Sequence, residues 1–109
     1  MNDIDIIIRE LIEFRDERDW EQFHNAKDLA LAISIEASEL NELFLWKSDK
    51  DADLSKIKEE LADVFAYTFL LANKYGFDVK EIVLNKIKKN AIKYPVDKAK
   101  GTSEKYNKL

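Results

Sequence analysis

The sequence of 109 residues contains no cysteine, one histidine, one proline and two glycines. The absence of cysteine excludes disulfides, thiolate metal sites and a cysteine nucleophile, and the single histidine excludes any site that needs two imidazoles. With so few helix breakers, the composition favours an all-α domain over any sheet. No apolar run of 18 residues occurs, and the N-terminus lacks the basic start of a signal peptide. We therefore expect a cytoplasmic protein with neither a membrane nor a nucleic-acid partner.

The formal net charge of −4 is distributed unevenly along the chain. Residues 78–109 hold nine lysines and four acidic residues, a local balance of +5, which leaves −9 for residues 1–77. A basic end beside an acidic body is compatible with an anion bound next to a metal ion. A solvated, lysine-rich helix would produce the same bias, and the charge pattern alone leaves both interpretations open.

Apolar residues at spacings of three and four predict an amphipathic, four-helix bundle-like unit that forms a single domain over residues 1–109. Asn25 and Asp53 suit the N-cap positions, Gly76 suits a helix C-terminus, and Pro95 stops the last helix. The predicted helices cover about residues 3–18, 26–47, 54–75 and 79–93, and a basic tail follows at 95–109.

Two pairs of carboxylates interrupt the apolar pattern of the two longest predicted helices. In the second helix Glu36 lies on the apolar stripe, between Ile33 and Leu40, and Glu39 points to nearly the same side of the helix. In the third helix Glu60 and Asp63 have the same three-residue separation, and Asp63 is the only charged residue between Leu61 and Ala72. Facing each other, the two pairs would form a cluster of four carboxylates.

A cluster of buried carboxylates requires positive charge, because unpaired ionised groups are costly to bury and repel one another. Oxygen ligands without cysteine or a second histidine suit a hard cation such as Mg²⁺ or Mn²⁺. A di-iron centre is excluded, since it requires Glu-x-x-His on two helices. For single residues, above all Glu39, a solvated helix face remains an alternative.

The paired E-x-x-E and E-x-x-D motifs resemble those of the MazG-like, all-α nucleoside triphosphate pyrophosphohydrolases. The run RDWEQFHNAKDLALAISIEASELNELFLWK is similar to the dCTP pyrophosphatase branch of that superfamily. EELADVFAY, KNAIKYP and GTSEKY are further matches, so the resemblance covers about residues 10–107. The E-x-x-E motif is weak by itself, whereas the ordered combination is specific.

The resemblance implies an Mg²⁺-dependent enzyme that hydrolyses nucleoside triphosphates between the α- and β-phosphates, with dCTP or modified pyrimidine deoxynucleotides as expected substrates. It also implies a homodimer or homotetramer. The implied metal-binding and catalytic residues are Glu36, Glu39, Glu60 and Asp63. The residues implied to approach the nucleotide are Trp20, His24, Trp46, Tyr67 and Asn90. Lys86, Lys93 and Lys105 are the lysines we expect to neutralise the β- and γ-phosphates. The alternative from a different class is a non-catalytic helical module with a structural metal ion.

Overall fold

A computed structural model describes residues 1–109, which contain helices and no strand. The predicted all-α fold class is confirmed. The helices are α1 (Asp3–Glu17), a 3₁₀ helix (Glu21–Phe23), α2 (Ala26–Glu42), α3 (Leu54–Lys74), α4 (Val79–Lys93), α5 (Val96–Ala99) and a second 3₁₀ helix (Tyr106–Lys108). None of them combines the length and the hydropathy that crossing a membrane requires.

The chain divides into two compact units, Met1–Phe77 and Asp78–Leu109. The first unit contains α1, α2 and α3, and the second contains α4, α5 and the tail. That all 109 residues form one domain stays a prediction.

The longer helices begin at side-chain caps that the local sequence specifies. The Asn25 side chain accepts a hydrogen bond from the backbone N–H of Asp28 at 2.9 Å, and Asp53 accepts one from Ser55 at 3.0 Å. Each cap satisfies a backbone donor that the first helical turn leaves free. The predicted caps of α2 and α3 are therefore confirmed.

Helix α3 ends just before Gly76, which is the only glycine of the first unit. Gly76 has a φ of +71°, and its N–H donates to the carbonyl of Asn73 at 3.0 Å, while Phe77 donates to Ala72 at 2.9 Å. These two bonds form a Schellman motif, which closes a helix through a left-handed residue that glycine adopts without steric cost.

Helix α2 is shorter than predicted, because it ends at Glu42 and not near residue 47. From Leu43 onward the backbone bonds tighten to the i to i−3 pattern of turns, as in the bond from Phe44 N–H to the Asn41 carbonyl. Trp46 then adopts a φ of +61°, which no right-handed helix accommodates. The sequence contains no glycine or proline that marks this end.

In the first unit, α3 packs against both α2 and α1. Leu29 of α2 is the most enclosed side chain, with 2% of its surface exposed, and Leu70 and Ala72 of α3 are also buried. Together with Ala52, which precedes α3, these residues form the core. Helix α3 is thus the central element that positions the acidic residues.

The second unit has no fully buried residue. Its tail is ordered by contacts with the end of α4, since the Tyr106 ring lies edge-on to Tyr94 at 6.1 Å and under the Lys93 amino group at 5.0 Å. The short helix α5 was not predicted from the sequence, which indicated only turn formers and lysines in this segment.

Candidate metal centre and adjoining pocket

Helices α2 and α3 bring three of the four predicted carboxylates together. One oxygen from each of Glu36, Glu60 and Asp63 lies within 4.8 Å of the other two. The three-residue spacing on α3 places Glu60 and Asp63 on one side of that helix, and α2 packs against it with Glu36 on its apolar stripe.

Two oxygens of this cluster are buried without a hydrogen-bond partner, namely Glu36 Oε2 and Glu60 Oε2. The ion pairs of the chain are those of Arg15 with Asp16 and Glu21, so no lysine or arginine is paired with the cluster. Asp63 is exposed, although its apolar sequence neighbours suggested burial. The protein therefore places acidic oxygens in a confined space and supplies no basic side chain to offset them.

Burial and mutual repulsion change the protonation of the cluster. Burial, the hydrogen-bonding proximity of Glu39 and the charges of Glu39, Asp63 and Glu60 raise the pKa of Glu36 from 4.5 to about 7. The pKa of Glu60 is also raised, first by burial and then by Glu39. Glu39 raises the pKa of both Glu36 and Glu60, so its carboxyl group, which is exposed, lies beside both residues.

These groups fit a bound cation. Carboxylate oxygens from two helices, two of them buried and unpartnered, are the donor type that hard divalent ions prefer. A cation in the cluster would replace the missing counter-charge and remove the repulsion that raises the pKa of Glu36.

A pocket of about 270 Å³ adjoins the cluster and shares Asp63 with it. Three residues predicted to approach a nucleotide, Trp20, His24 and Tyr67, line this pocket. The His24 and Tyr67 rings lie edge to face with their centroids 6.4 Å apart. The remaining lining residues are Leu11, Phe14, Arg15, Ala66 and Leu70.

The pKa values of the two titratable rings of the pocket, Tyr67 and His24, are shifted by burial and by nearby charges of opposite sign. Burial, followed by the negative charges of Glu36, Asp63 and Glu39, raises the pKa of Tyr67, which keeps its hydroxyl protonated. Burial, followed by the positive charges of Arg15 and Lys74, lowers the pKa of His24. The pocket therefore presents a neutral phenol and a neutral imidazole at neutral pH.

The segment that carries Trp20 and His24 is a compact turn, residues 18–24, which we call the connector. Its Asp19 has a φ of +54°, a conformation that aspartate tolerates better than most residues. The Trp20 N–H donates to the Arg15 carbonyl at 3.1 Å, and the Trp20 ring lies edge-on to Phe14 at 5.8 Å. These contacts fold the connector back onto the end of α1.

The other predicted nucleotide residues lie elsewhere. Trp46 follows the end of α2, does not line the pocket and is 94% exposed. Lys86, Asn90 and Lys93 belong to α4, and Lys105 belongs to the tail, so all four are residues of the second unit.

Arg15 is a lining residue that the sequence analysis did not identify as part of the site. Its side chain is only 12% exposed and pairs with Asp16 at 2.9 Å and Glu21 at 3.5 Å. The available signal was its place on the apolar stripe of α1, four residues after Leu11, where a charged residue is unexpected.

The family of the chain follows from comparison with known sequences. The model of the MazG-like family matches residues 31–109, a stretch that contains all four carboxylates. The chain belongs to the MazG-like family. Its match to this family covers α2 from residue 31 onward, α3 and the whole second unit, so all four carboxylates lie in the shared domain.

Relatives of this MazG-like protein include dCTP pyrophosphatase 1 of Mus musculus and of Homo sapiens. Each is 40% identical over 105 residues, and each match covers 89% of this chain and 62% of the relative. The chain thus spans less than two thirds of the length of these curated relatives.

A solved structure with a similar fold is a pyrophosphatase from Archaeoglobus fulgidus. It superposes with a TM-score of 0.81 at 35% sequence identity, and the match covers 87% of this chain and 94% of that protein.

Proposed function

We propose that the protein is a divalent-cation-dependent nucleoside triphosphate pyrophosphohydrolase, which releases a nucleoside monophosphate and pyrophosphate. The observation that carries this proposal is the cluster of Glu36, Glu60 and Asp63 beside a pocket lined by aromatic rings. The names of the similar proteins, dCTP pyrophosphatase 1 and an archaeal pyrophosphatase, support the same reaction class. The proposed substrates are dCTP or modified pyrimidine deoxynucleotides.

Glu36, Glu39, Glu60 and Asp63 are the proposed ligands of Mg²⁺, for which Mn²⁺ could substitute. When bound, such a cation supplies positive charge that offsets the carboxylates and polarises phosphoryl oxygens. The carboxylates of α2 and α3 would hold that cation, and its charge would attract the triphosphate end of the substrate. The oxygen of the attacking water would bond to one of the two phosphorus atoms beside the bridging oxygen, and the bond from that phosphorus to the bridging oxygen would break. One of the carboxylates would accept the proton of the water.

The pocket of Trp20, His24 and Tyr67 is the proposed base-binding site. Its volume of about 270 Å³ lies just below the range of about 300–1,000 Å³ for pockets that enclose a whole ligand. A nucleobase fits this volume, with Trp20 and Tyr67 as flat walls and His24 as a polar group. We assign Trp46 and Asn90 further contacts with the nucleotide on the basis of the resemblance.

The lysines of the second unit are the proposed partners of the phosphates. This unit carries a net charge of +5, and its Lys86, Lys93 and Lys105 offer ammonium groups for the β- and γ-phosphates. Substituting each lysine by methionine would identify those that matter, because loss of a phosphate contact raises KM for the triphosphate.

The deciding experiment incubates the purified protein with a panel of nucleoside and deoxynucleoside triphosphates and Mg²⁺, and separates the products. We expect monophosphate and pyrophosphate in equal amounts, with no turnover after addition of a chelator. Asp63→Asn should abolish activity. Glu59→Gln, which changes an exposed carboxylate on the same helix outside the cluster, should retain it.

Release of single phosphates would instead contradict the proposed reaction. The alternative of a non-catalytic helical module with a structural ion predicts that Mg²⁺ raises the thermal stability of the protein while no triphosphate is consumed. This outcome would contradict the proposed enzyme and support the non-catalytic module.

We further propose a homodimer or homotetramer in the cytoplasm. An apolar groove of about 500 Å³ lies between α1 and α3, and Phe65 in its wall is 55% exposed. Exposed apolar surface of this kind is typical of subunit interfaces. The groove is lined by Ile7, Leu11, Ala62, Phe65, Ala66 and Phe69.

A further inference from the structure

Arg15 is a nearly enclosed cation whose two ion pairs lie outside the acidic cluster. Its guanidinium donates from Nε to Asp16 Oδ1 at 2.9 Å on α1 and lies 3.5 Å from Glu21 Oε2 on the 3₁₀ helix of the connector. Its side chain lines the pocket next to Trp20 and His24. One side chain thus joins the end of α1 to the segment that supplies two walls of the pocket.

We propose that Arg15 is a positioning residue, which holds the connector through Glu21 so that Trp20 and His24 stand at the spacing that the nucleoside requires. The inference rests on the proposed function, because it concerns the affinity of the same pocket for the substrate.

The hydrogen bonds of the connector show where the Arg15–Glu21 pair adds an attachment. Within the connector the backbone hydrogen bonds are short-range turn bonds, such as those from Phe23 N–H to the Trp20 carbonyl at 2.9 Å and from His24 N–H to the Glu21 carbonyl at 3.0 Å. These bonds fix its internal shape but not its tilt relative to α1. Up to Trp20 the connector is attached to α1 by the backbone bonds from Asp19 to Asp16 and from Trp20 to Arg15, by the Arg18 bond to the Phe14 carbonyl and by the Trp20–Phe14 ring contact. The Arg15–Glu21 pair is an attachment to α1 beyond Trp20.

The exposure of the two side chains indicates whether the Arg15–Glu21 pair acts on global stability or on the geometry of the pocket. The Glu21 side chain is 61% exposed, so the pair contributes little to global stability. The Arg15 side chain is 12% exposed and lines the pocket together with Leu11 and Phe14. A pair that is weak for folding can still set a geometry on which binding depends, since small displacements of binding groups cost affinity.

The test measures steady-state kinetics of the full chain with Mg²⁺ and the triphosphate that it hydrolyses fastest. Arg15→Met keeps the length of the apolar stem and removes the guanidinium. We expect it to raise KM by about five- to ten-fold while kcat changes less than about two-fold. Glu21→Gln, at a residue that does not line the pocket, should raise KM in the same direction.

The double variant separates positioning from direct contact. If Arg15 acts through Glu21, adding Glu21→Gln to Arg15→Met raises KM no further, because the two changes break one interaction. A rise confined to Arg15→Met, or an unchanged KM in both single variants, would overturn the positioning role. Arg9→Met, an exposed arginine on the same helix without an ion pair, is the matched control and should leave KM unchanged.

A fluorescence measurement without substrate reports the solvent exposure of Trp20 in the connector, independently of catalysis. In a Trp46→Phe background Trp20 is the only tryptophan, and both Arg15→Met and Glu21→Gln should increase its quenching by acrylamide. Unchanged quenching would contradict the positioning role. A wild-type protein that hydrolyses no triphosphate would overturn the proposed function and the role of Arg15 in it, whereas an active wild type with unaltered variants would overturn the role of Arg15 alone.

Discussion

At the scale of single residues, His24 offers a clean probe because it is the only histidine of the chain. Burial and the charges of Arg15 and Lys74 hold its pKa below the ordinary value of 6.5. The folded protein thus disfavours the protonated ring, so the contribution of His24 to stability is present above pH 6.5 and is lost as the pH falls below it.

We expect NMR titration of the His24 imidazole to give a pKa below 6.5. Arg15→Met should raise that pKa, because it removes a nearby positive charge. Lys27→Met, which removes an exposed lysine that does not act on His24, should leave it unchanged. A titration at or above 6.5 in the wild type would show that the ring is not enclosed in this way.

The substitution Glu36→Gln tests the repulsion within the acidic cluster. The pKa of Glu36 is raised from 4.5 to about 7, so the stability that its protonated form provides is present below pH 4.5 and lost as the pH rises through 7. At about pH 8, with a chelator present, the variant should be more stable than the wild type by about 1–2 kcal/mol.

Thermal unfolding measures this effect, and a difference of that size raises Tm by several degrees. Added Mg²⁺ should stabilise the wild type more than Glu36→Gln, because the variant loses a ligand. Glu59→Gln should follow the wild type in both conditions. Equal Tm values for Glu36→Gln and the wild type in chelator would argue against a repulsive cluster.

At the scale of secondary structure, the end of α2 shows where local sequence signals fail. Asn25, Asp53 and Gly76 were recognised because each acts through its own side chain or its own φ angle. The chain leaves α2 at Leu43 without any such residue, and Trp46 takes a left-handed conformation that its neighbours in sequence do not indicate. The same limit applies to α5, which lies in a segment rich in turn formers.

The substitution Trp46→Gly should stabilise the fold by about 0.5–1 kcal/mol, since a left-handed conformation costs a non-glycine residue about 1–2 kcal/mol. The loss of buried surface is small, because the Trp46 side chain is 94% exposed. Lys47→Gly is the control at an exposed neighbour without positive φ and should destabilise. Chemical denaturation measures both changes, and destabilisation by Trp46→Gly would mean that the indole is held by contacts.

At the scale of the whole molecule, the composition was sufficient for the all-α class, because glycine and proline are scarce and apolar residues recur at helical spacing. The pairing of α2 with α3 followed from their apolar stripes, on which Glu36 and Glu60 stand out. The role of Arg15 could not be predicted, because it depends on how the connector folds back onto α1. The nucleotide itself was indicated by the family resemblance and not by the periodicity.

The apolar groove between α1 and α3 gives a prediction about assembly. We expect light scattering after size-exclusion chromatography to show a dimer or tetramer, and Phe65→Glu to shift it towards the monomer, because a charge in the groove opposes burial. Lys58→Glu, an exposed position on the same helix, changes the charge outside the groove and should keep the assembly intact. A monomeric wild type would contradict the proposed oligomer.

The unpartnered oxygens of Glu36 and Glu60 have a consequence for how the protein responds to its surroundings. A group with a pKa of about 7 is partly protonated under neutral conditions, so a cation that enters the cluster must displace that proton. Protons and a cation that bound the cluster would therefore compete for the Glu36 carboxyl group. If a cation binds the cluster, its affinity should fall in mild acid, and its binding near neutral pH should release a fraction of a proton to the buffer.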